Sequence, residues 1–592
     1  MKQIRRGALK GVCREKKIFT FAGNDLNRFS IYKTTSFMFK GHPKGLFVAF
    51  FANMGERFGY YTMLAIFLLY LQSKFGWTTS EAGRVYGFFL FGVYFLPLLG
   101  GYISDNILGY GKTIICGIIV MFLGYGLLAV PGNGVYFMYF ALAVIALGTG
   151  LFKGNLQALV GNMYDEAKYS HLRDSAFNLF YMGINIGAFF APSAAGGMRN
   201  WILGRAGFTY DSAIPSLAHK YLDHTLQNTA QLEQFMHTQA GGRITDLTSF
   251  CQQYIDSIGQ AYNAGFGVAA ISMIASLLIF IGFRKYYKTA DVTHKQQKAA
   301  KDPNLVVLTK SQIKDRFVAL GLVFFVVMFF WMAFQQNGFT LTIFARDYTV
   351  SSISKGSAII FNLSTLLPLL IAIMGFVLLF GKSNSKKTKI IGGLVALGSL
   401  ILAYFTISML QPEGNKISPE IFQQFNPIFI VFLTPIVIGY FAYLNKRGKE
   451  PSSPKKIGFG MLITAVGFII MIIASQGLMS PADLAVKGGV SDTLRSPYWL
   501  ISMYFTLTVA ELFLSPIGIS FVSKVAPPQH KGLAQGGWFG ATAIGNIMAG
   551  FIGPFWDKWQ IWQFFLLLVC LTLLSAIFIF SILKKLERAT TS

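Results

Sequence analysis

The sequence predicts an all-α membrane protein of 14 spans, and three observations carry that prediction. Of its 592 residues, 53% are hydrophobic, 16% aromatic and only 13% charged, where a soluble domain carries about a quarter. Fourteen stretches hold about 20 or more mostly apolar residues, the length a helix needs to cross a bilayer. Lys and Arg number 51 against 25 Asp and Glu, and they collect in alternate loops between those stretches, as cytoplasmic loops do. A surplus of +26 spread in this way along an apolar chain points to a membrane topology and away from a nucleic-acid surface.

Residues 1–43 are basic, lack the apolar core of a cleavable signal peptide, and read as a cytoplasmic tail, with Met38 standing just before the first apolar segment. Spans are expected near 44–71, 81–103, 111–130, 134–160, 174–196 and 263–287, which form a six-span half, 44–287. Its long outer stretch, 197–262, holds periodic runs such as 216-SLAHKYLDHTLQNTAQLEQFM-236 and reads as a small extracytoplasmic helical cap. His219, His224 and His237 in that cap read as solvated surface residues before they read as metal ligands. A Lys-rich cytoplasmic linker, 288–315, leads to an eight-span half, 316–585, with spans near 316–345, 357–381, 387–409, 425–445, 456–476, 496–524, 532–554 and 560–584. Residues 586–592 are a C-terminal tail. Runs such as 568-LVCLTLLSAIFIFSIL-583 lack the two-residue alternation of a membrane barrel,. Cys13, Cys116, Cys251 and Cys570 lie far apart without a CxxC, so neither a zinc site nor a disulfide framework is indicated,.

The basic residues orient the chain. With the N-terminus inside, the tail holds ten of them and the other inner loops with the C-terminus hold 26, against eight in the short outer loops and four in 197–262. The loop 382-KSNSKKTK-389 between the spans of the pair 357–409 also falls inside. Both termini are therefore expected in the cytoplasm, with the body in a plasma (bacterial inner) membrane.

Placed on this topology, four charged residues lie well inside spans: Glu56, Arg57, Lys153 and Glu511. Each costs about 2.5–3.5 kcal/mol at a helix centre, so each should face a cavity or a partner. Glu56 and Arg57 are adjacent and project about 100° apart. Each is expected to seek a partner on another span, with Lys153 the partner for Glu56, while Glu511 has no unmatched cation of its own. The plain reading is a static network that fixes packing. Against it, a polar network around a midplane cavity is how secondary transporters build their sites. Tyr60, Tyr61, Tyr94, Asn185, Gln335, Gln336, Asn426 and Trp538 recur at similar depth on several spans. Singly each reads as a packing residue; together they outline a pocket.

Nine segments resemble a known family, the proton-dependent oligopeptide transporters of the major facilitator superfamily. They are 41-GHPKGLFVAFF-51, 56-ERFGYYTM-63, 100-GGYISDNILG-109 with its GxxxD from Gly101 to Asp105, 148-GTGLFKGN-155, 177-FNLFYMGINIGAFF-190, 330-FWMAFQQNG-338, 423-QQFNPIFI-430, 510-AELFLSPIG-518 and 537-GWFGATAIGN-546. The resemblance implies a major facilitator fold, two six-helix bundles rocking about a central peptide site, with 357–409 as two surplus transmembrane helices. It implies that Glu56 and Arg57 are the last two residues of the family's ExxER motif and that Lys153 is their ion-pair partner. Glu511 would receive a peptide amino terminus, helped by Asn185 and Asn426, and Tyr60, Tyr61, Tyr94 and Trp538 would line the pocket. Three positions depart from the pattern: Asn53 replaces the first Glu of ExxER, Leu64 an arginine, and Gln335 an acid on the seventh span. The last two changes remove both members of a cross-bundle pair and leave neither charge stranded.

The expected function is import of small peptides or related zwitterions, with protons as the coupling ion, centred on Glu56 and Lys153. The expected partners are peptide, proton and membrane lipid, with no nucleic acid, metal or cofactor. An uncoupled facilitator or exchanger on the same scaffold is the alternative within transport. A nontransporting receptor or scaffold, using 197–262 to hold an extracytoplasmic partner, is the alternative from another class. An enzyme is not expected, because the sequence offers no nucleophile–base constellation, metal cluster or phosphate loop.

Overall fold

The computed structural model describes residues 41–132, 134–166, 168–291, 309–381, 384–527 and 530–591. Residues 1–40 of the expected tail, 292–308 of the linker and two residues of the 382–389 loop lie outside the described residues. Twelve described helices are long and apolar enough to cross a membrane. Two more, α1 (Lys44–Phe75) and the later helix Lys531–Phe551, run among them.

The first lobe is punctuated by its caps. α1 opens after Pro43 and stops at Gly76, whose φ of 68° is the left-handed conformation that ends helices without a Cβ penalty,. Thr78 then caps α2 (Thr79–Phe95). Its hydroxyl takes the Glu81 amide while the Glu81 carboxylate takes the Thr78 amide, so donors that a helix start leaves free are satisfied in both directions,. Pro97 opens α3 (Pro97–Ile103), and a π-helical turn, Ser104–Leu108, leads to α4 (Tyr110–Ala129). Next come α5 (Val135–Asn162), α6 (Arg173–Arg205), the short cap helices α7 (Ile214–Leu222) and α8 (Ala230–Ala240), and α9 (Leu247–Gly282). α1 packs between α6 and α9, and α4 packs against α5 and α9. The two ends of α1 mark the two faces of the molecule, a Lys44 face and a Phe75 face.

The second lobe opens with α10 (Lys310–Phe334), capped by Thr309 and Gln312. A 3-10 turn, Gln335–Asn337, separates it from α11 (Thr340–Asp347). α12 (Lys355–Phe361), α13 (Leu363–Phe380) and α14 (Lys386–Ser408) follow. After a second 3-10 turn, Pro419–Gln424, come α15 (Phe425–Lys446), α16 (Ser453–Ala474), α17 (Pro481–Lys487) and α18 (Tyr498–Val525). The chain closes with α19 (Lys531–Phe551), α20 (Gly553–Lys558), α21 (Ile561–Ser581) and α22 (Leu583–Thr591). α16 packs between α18 and α21, and α10 packs on α19. The lobes meet where α2 lies against α19 and where α6 meets α15.

The hairpin α13–α14 packs on itself, with the bare backbone of Gly375 against Gly392 and Ala396. Such small residues let two membrane helices approach closely. The chain enters and leaves the insertion through a two-stranded clip in which Ser352 pairs with Lys416 and Ile353 with Asn415.

Three boundaries differ from the sequence reading. The fifth span continues to Arg205, and the sixth begins at Leu247, 16 residues before 263, because Phe250, Tyr254 and Ile258 give it a buried stripe against the cap. α9 is thus about 54 Å long. The seventh span is not continuous but breaks at Gln335–Asn337. The Tyr504 hydroxyl, 2.6 Å away, and the Thr342 hydroxyl, 3.2 Å away, both donate to the Asn337 carbonyl that the break frees.

Candidate functional site: a cavity between the lobes

Between the lobes lies a cavity; the empty space within its lining, open solvent included, is about 1560 Å³. Its wall in the first lobe is built from Arg57, Tyr60, Tyr61 and Leu64 on α1, Tyr94 on α2, Lys153 and Gln157 on α5, and Tyr181, Asn185 and Pro192 on α6. The second lobe supplies Trp331, Gln335, Asn337, Gln423, Asn426, Glu511, Ser515, Gln535, Trp538 and Thr542. On the Lys44 side the lining runs on to Val522 and Gln535; on the Phe75 side it ends at Leu64, Asn337 and Gln423. The break in the seventh span places Gln335 and Asn337 on the wall, the way discontinuous helices serve transporter sites.

Of the residues named from sequence as outlining a pocket or carrying its charge, Tyr60, Tyr61, Tyr94, Lys153, Asn185, Gln335, Asn426, Glu511 and Trp538 reach this cavity. Gln336 does not. It is fully buried, donates to the Met332 carbonyl and accepts from the Thr340 hydroxyl, so its role is to tie the broken helix together. Sequence reasoning missed Gln157, Tyr181, Gln423, Ser515, Gln535 and Thr542.

The charges are arranged differently from the expectation. Arg57 grips Glu56, its neighbour in sequence, through Nε to Oε2 at 2.5 Å and Nη2 to Oε1 at 2.6 Å. The 100° between their Cα–Cβ directions is overcome by the long arginine stem, which folds back so that the guanidinium meets the carboxylate as a fork. Glu56 is fully buried and off the cavity wall, and the Arg57 guanidinium lies 4.7 Å from the centre of the Tyr60 ring. Lys153 does not pair with Glu56. Its ammonium sits 3.4 Å from the centre of the Tyr94 ring, where the ring's negative face attracts it,. Among the described residues Lys153 makes no ion pair. Glu511, on the opposite lobe, accepts from Asn426 Nδ2 at 3.0 Å, and the same amide lies 3.0 Å from the Thr508 hydroxyl. Glu511 also makes no ion pair among the described residues.

Glu56, Arg57, Lys153 and Glu511 are not the whole set of deeply buried charges. Arg199 and Glu420 are 0% and 1% exposed and pair at 2.9 Å. The sequence reading put both in outer loops, because it ended the fifth span at 196 and took residues 410–424 as a connection. Arg346 and Asp347, neighbours in sequence, form a further pair at 2.6 Å. His219 is not wholly solvated either, since its Nε2 lies 2.9 Å from the Ser73 carbonyl. Among the described residues no three His, Cys, Asp or Glu side chains are grouped to hold a metal ion.

The lobes are tied on one side. Arg346 donates to Gln72 at 2.7 Å, the Ser80 amide to Asp557 at 2.8 Å, Gln423 to the Ala65 carbonyl at 3.3 Å, and Lys220 of the cap to the Ala485 carbonyl. With Arg199–Glu420, all of these lie on the Phe75 half. These ties hold the lobes together on the Phe75 side of the cavity, while its lining reaches furthest towards the Lys44 face, at Val522 and Gln535.

Comparison with known proteins agrees with this architecture. The chain is 29% identical over 542 residues to peptide transporter YePEPT of Yersinia enterocolitica, covering 87% of this chain and 88% of the relative. It is 27% identical over 514 residues to dipeptide and tripeptide permease A of Escherichia coli, covering 86% and 84%. A mutant of peptide transporter POT in complex with alafosfalin superposes with a TM-score of 0.62 at 22% identity, over 94% of this chain and 97% of that one. A POT family transporter in complex with 5-aminolevulinic acid gives 0.63 at 18% identity, over 93% and 98%. The two-lobed helical fold, a major facilitator fold, is thus shared, and the chain is a multi-pass integral membrane protein. The sequence pattern of the POT family matches residues 111–314 and 396–564, stretches drawn from both lobes, and the chain therefore belongs to the POT family.

Proposed function

We propose that the chain is a secondary active transporter that imports small peptides, di- and tripeptides or related zwitterions, together with protons, by alternating access to the cavity. The observation that carries this reading is the division of charge across it. Among the described residues Glu511 on one lobe holds no cation and Lys153 on the other holds no acid, and both line the cavity. A zwitterion's ammonium would meet Glu511 and its carboxylate Lys153, while the field of Arg57 is largely cancelled by Glu56. Tyr60, Tyr61, Tyr94, Asn185, Gln335, Asn426 and Trp538 would hold the rest of the ligand. A molecule that touches both lobes in one state only favours that state, and this is what drives alternation. The family and the relatives named above are transporters, not enzymes, which supports the same conclusion.

On this reading the Lys44 face is cytoplasmic, both termini lie on the cytoplasmic side of a bacterial inner membrane, and the structure is the inward-open state. The lobes 44–287 and 316–585 are the two rocking bodies joined by the linker 288–315. Counting α1 and α19 as spans gives 14, with α13–α14 the surplus pair. The cap, bound through Lys220 to the opposite lobe, serves the transporter itself more directly than it would serve a separate extracytoplasmic partner.

The coupling residues are Glu56, Arg57, Lys153 and Glu511. In proteoliposomes, dipeptide uptake should respond to a pH gradient and Glu56→Gln should flatten that response; a variant that still concentrates peptide overturns the assignment of Glu56. One observation favours a second reading, exchange without proton entry. Asn53 and Gln335 cannot titrate and Arg57 clamps Glu56, so Glu511 is the one carboxyl on the cavity wall among the described residues. Counterflow that is indifferent to the pH gradient would select that alternative.

A further inference from the structure

The hairpin α13–α14 stands outside the core of the molecule. Its root is moored to the second lobe: the Phe361 ring of α12 lies 5.3 Å from the rings of Phe422 and Phe425, and the Ser357 hydroxyl 3.0 Å from that of Tyr498. Past α12 the mooring stops. Among the described residues no hydrogen bond, ion pair or ring contact joins Leu363–Ser408 to any helix but α12, and none of its side chains enters the contiguous hydrophobic core. The two helices close on each other along Gly375, Gly392 and Ala396 and turn their other sides outward, where Phe380 and Ile390 are 67% and 64% exposed.

Its charge is one-sided. Residues 348–412 hold five lysines and no Asp or Glu. Lys386, Lys387 and Lys389 crowd the first turn of α14, and among the described residues none of the three makes an ion pair or a hydrogen bond. α13 carries the chain about 27 Å from the root, close to the thickness of a bilayer core, so these lysines stand at the membrane surface of the Lys44 side. Cations at a helix start oppose its macrodipole and do nothing for α14 itself. They also disfavour a second copy on this face, because a two-fold pair in one membrane would bring both lysine groups to the same surface. An apolar column topped by unpaired cations matches a lipid whose headgroup is negatively charged. We propose that α13–α14 is the docking site of an anionic phospholipid, its headgroup held by Lys386, Lys387 and Lys389 and its acyl chains lying along Phe380, Ile390 and the exposed Leu394. With the Lys44 face cytoplasmic, that lipid belongs to the inner leaflet. The binding makes no demand on what is transported.

The test titrates the purified full chain in detergent with phosphatidylglycerol or phosphatidylethanolamine and reads the bound lipid by native mass spectrometry. The parent should bind phosphatidylglycerol about tenfold or more tightly than phosphatidylethanolamine. A basic residue beside a charged headgroup is worth about fivefold, so combining Lys386→Gln, Lys387→Gln and Lys389→Gln should weaken phosphatidylglycerol about tenfold or more and leave phosphatidylethanolamine unchanged. Combining Lys446→Gln, Arg447→Gln and Lys449→Gln removes the same charge from exposed positions at the end of α15 and should stay within about threefold of the parent,. The absence of a headgroup preference overturns the proposal. So does an equal loss in both triple variants, which would mean general attraction to a basic face. A benzophenone side chain in place of Phe380 gives an independent reading in cell membranes. Its adduct should be an anionic phospholipid, and a crosslinked dimer would give the face to a second copy and overturn the assignment.

Discussion

The tightest crossing between the lobes offers a prediction that can be worked through from geometry. On α19 a Cβ at Gly550 would fall well inside 3.0 Å of the Gly83 carbonyl oxygen on α2, and would lie 3.0 Å from its carbon and 3.2 Å from the Gly87 Cα. These are backbone atoms and cannot rotate away, so in Gly550→Ala the helices must part by about 1 Å at the Phe75 face, an overpacking strain of about 1–3 kcal/mol. Alanine also favours the helix by about 1 kcal/mol over glycine, but it does so in both facing states and drops out of the comparison. The state closed at the Phe75 face should therefore lose about 5- to 150-fold in population relative to the open one. Gly83→Ala would instead meet the far end of the Phe339 ring, a side chain that can yield, and should shift the balance less. Spin labels at the exposed positions Arg84 and Lys558, read by double electron–electron resonance, measure the gap directly. A longer distance should grow in Gly550→Ala. If the distribution matches the parent's while the alanine is in place, the crossing is not a tight backbone contact and the reasoning fails.

Further outcomes follow from the cavity and its rim. Glu511→Gln removes a charged hydrogen-bond acceptor worth about 1.5–3 kcal/mol, so calorimetry should show about 10- to 150-fold weaker binding of a free dipeptide and little change for its N-acetyl form. Leu64→Arg with Gln335→Glu restores a cross-lobe pair on the wall and should shift a competition uptake profile towards ordinary dipeptides; an unchanged profile would mean the ligand does not touch this region. Burial raises the Asp557 carboxyl above its ordinary 3.8, against the opposing effect of the Ser80 amide. Its contribution to heat stability is present in full below 3.8 and is lost as pH rises through the raised value,. Asp557→Asn should flatten that part of a melting-temperature profile.

Much of the fold was legible because a bilayer demands long apolar runs, and most such runs became helices within a few residues. What escaped lay where that demand lapses. The first turns of α9 stand in the cap, so Leu247–Asn263 follows an amphipathic pattern that a span search passes over. Arg199 and Glu420 were placed in loops because burial between lobes depends on tertiary contact and leaves no mark on local hydropathy. The Glu56–Arg57 clamp was missed by treating side chains as rigid spokes. The cavity was more legible than the charges. Five of the six missed liners sit one helical turn from a residue already named: Gln157 from Lys153, Tyr181 from Asn185, Ser515 from Glu511, and Gln535 and Thr542 from Trp538, while Gln423 lies in the 3-10 turn just before Asn426. Extending every candidate by three or four positions along its helix would have found them.

The clip at the root of α13–α14 has a topological consequence. Ser352 and Lys416 stand side by side, so the insertion hands the chain back at the place it was taken up. An excursion of two crossings is even, and every later helix keeps the direction it would have had without it. Such a pair can be gained or lost in a lineage without inverting anything downstream.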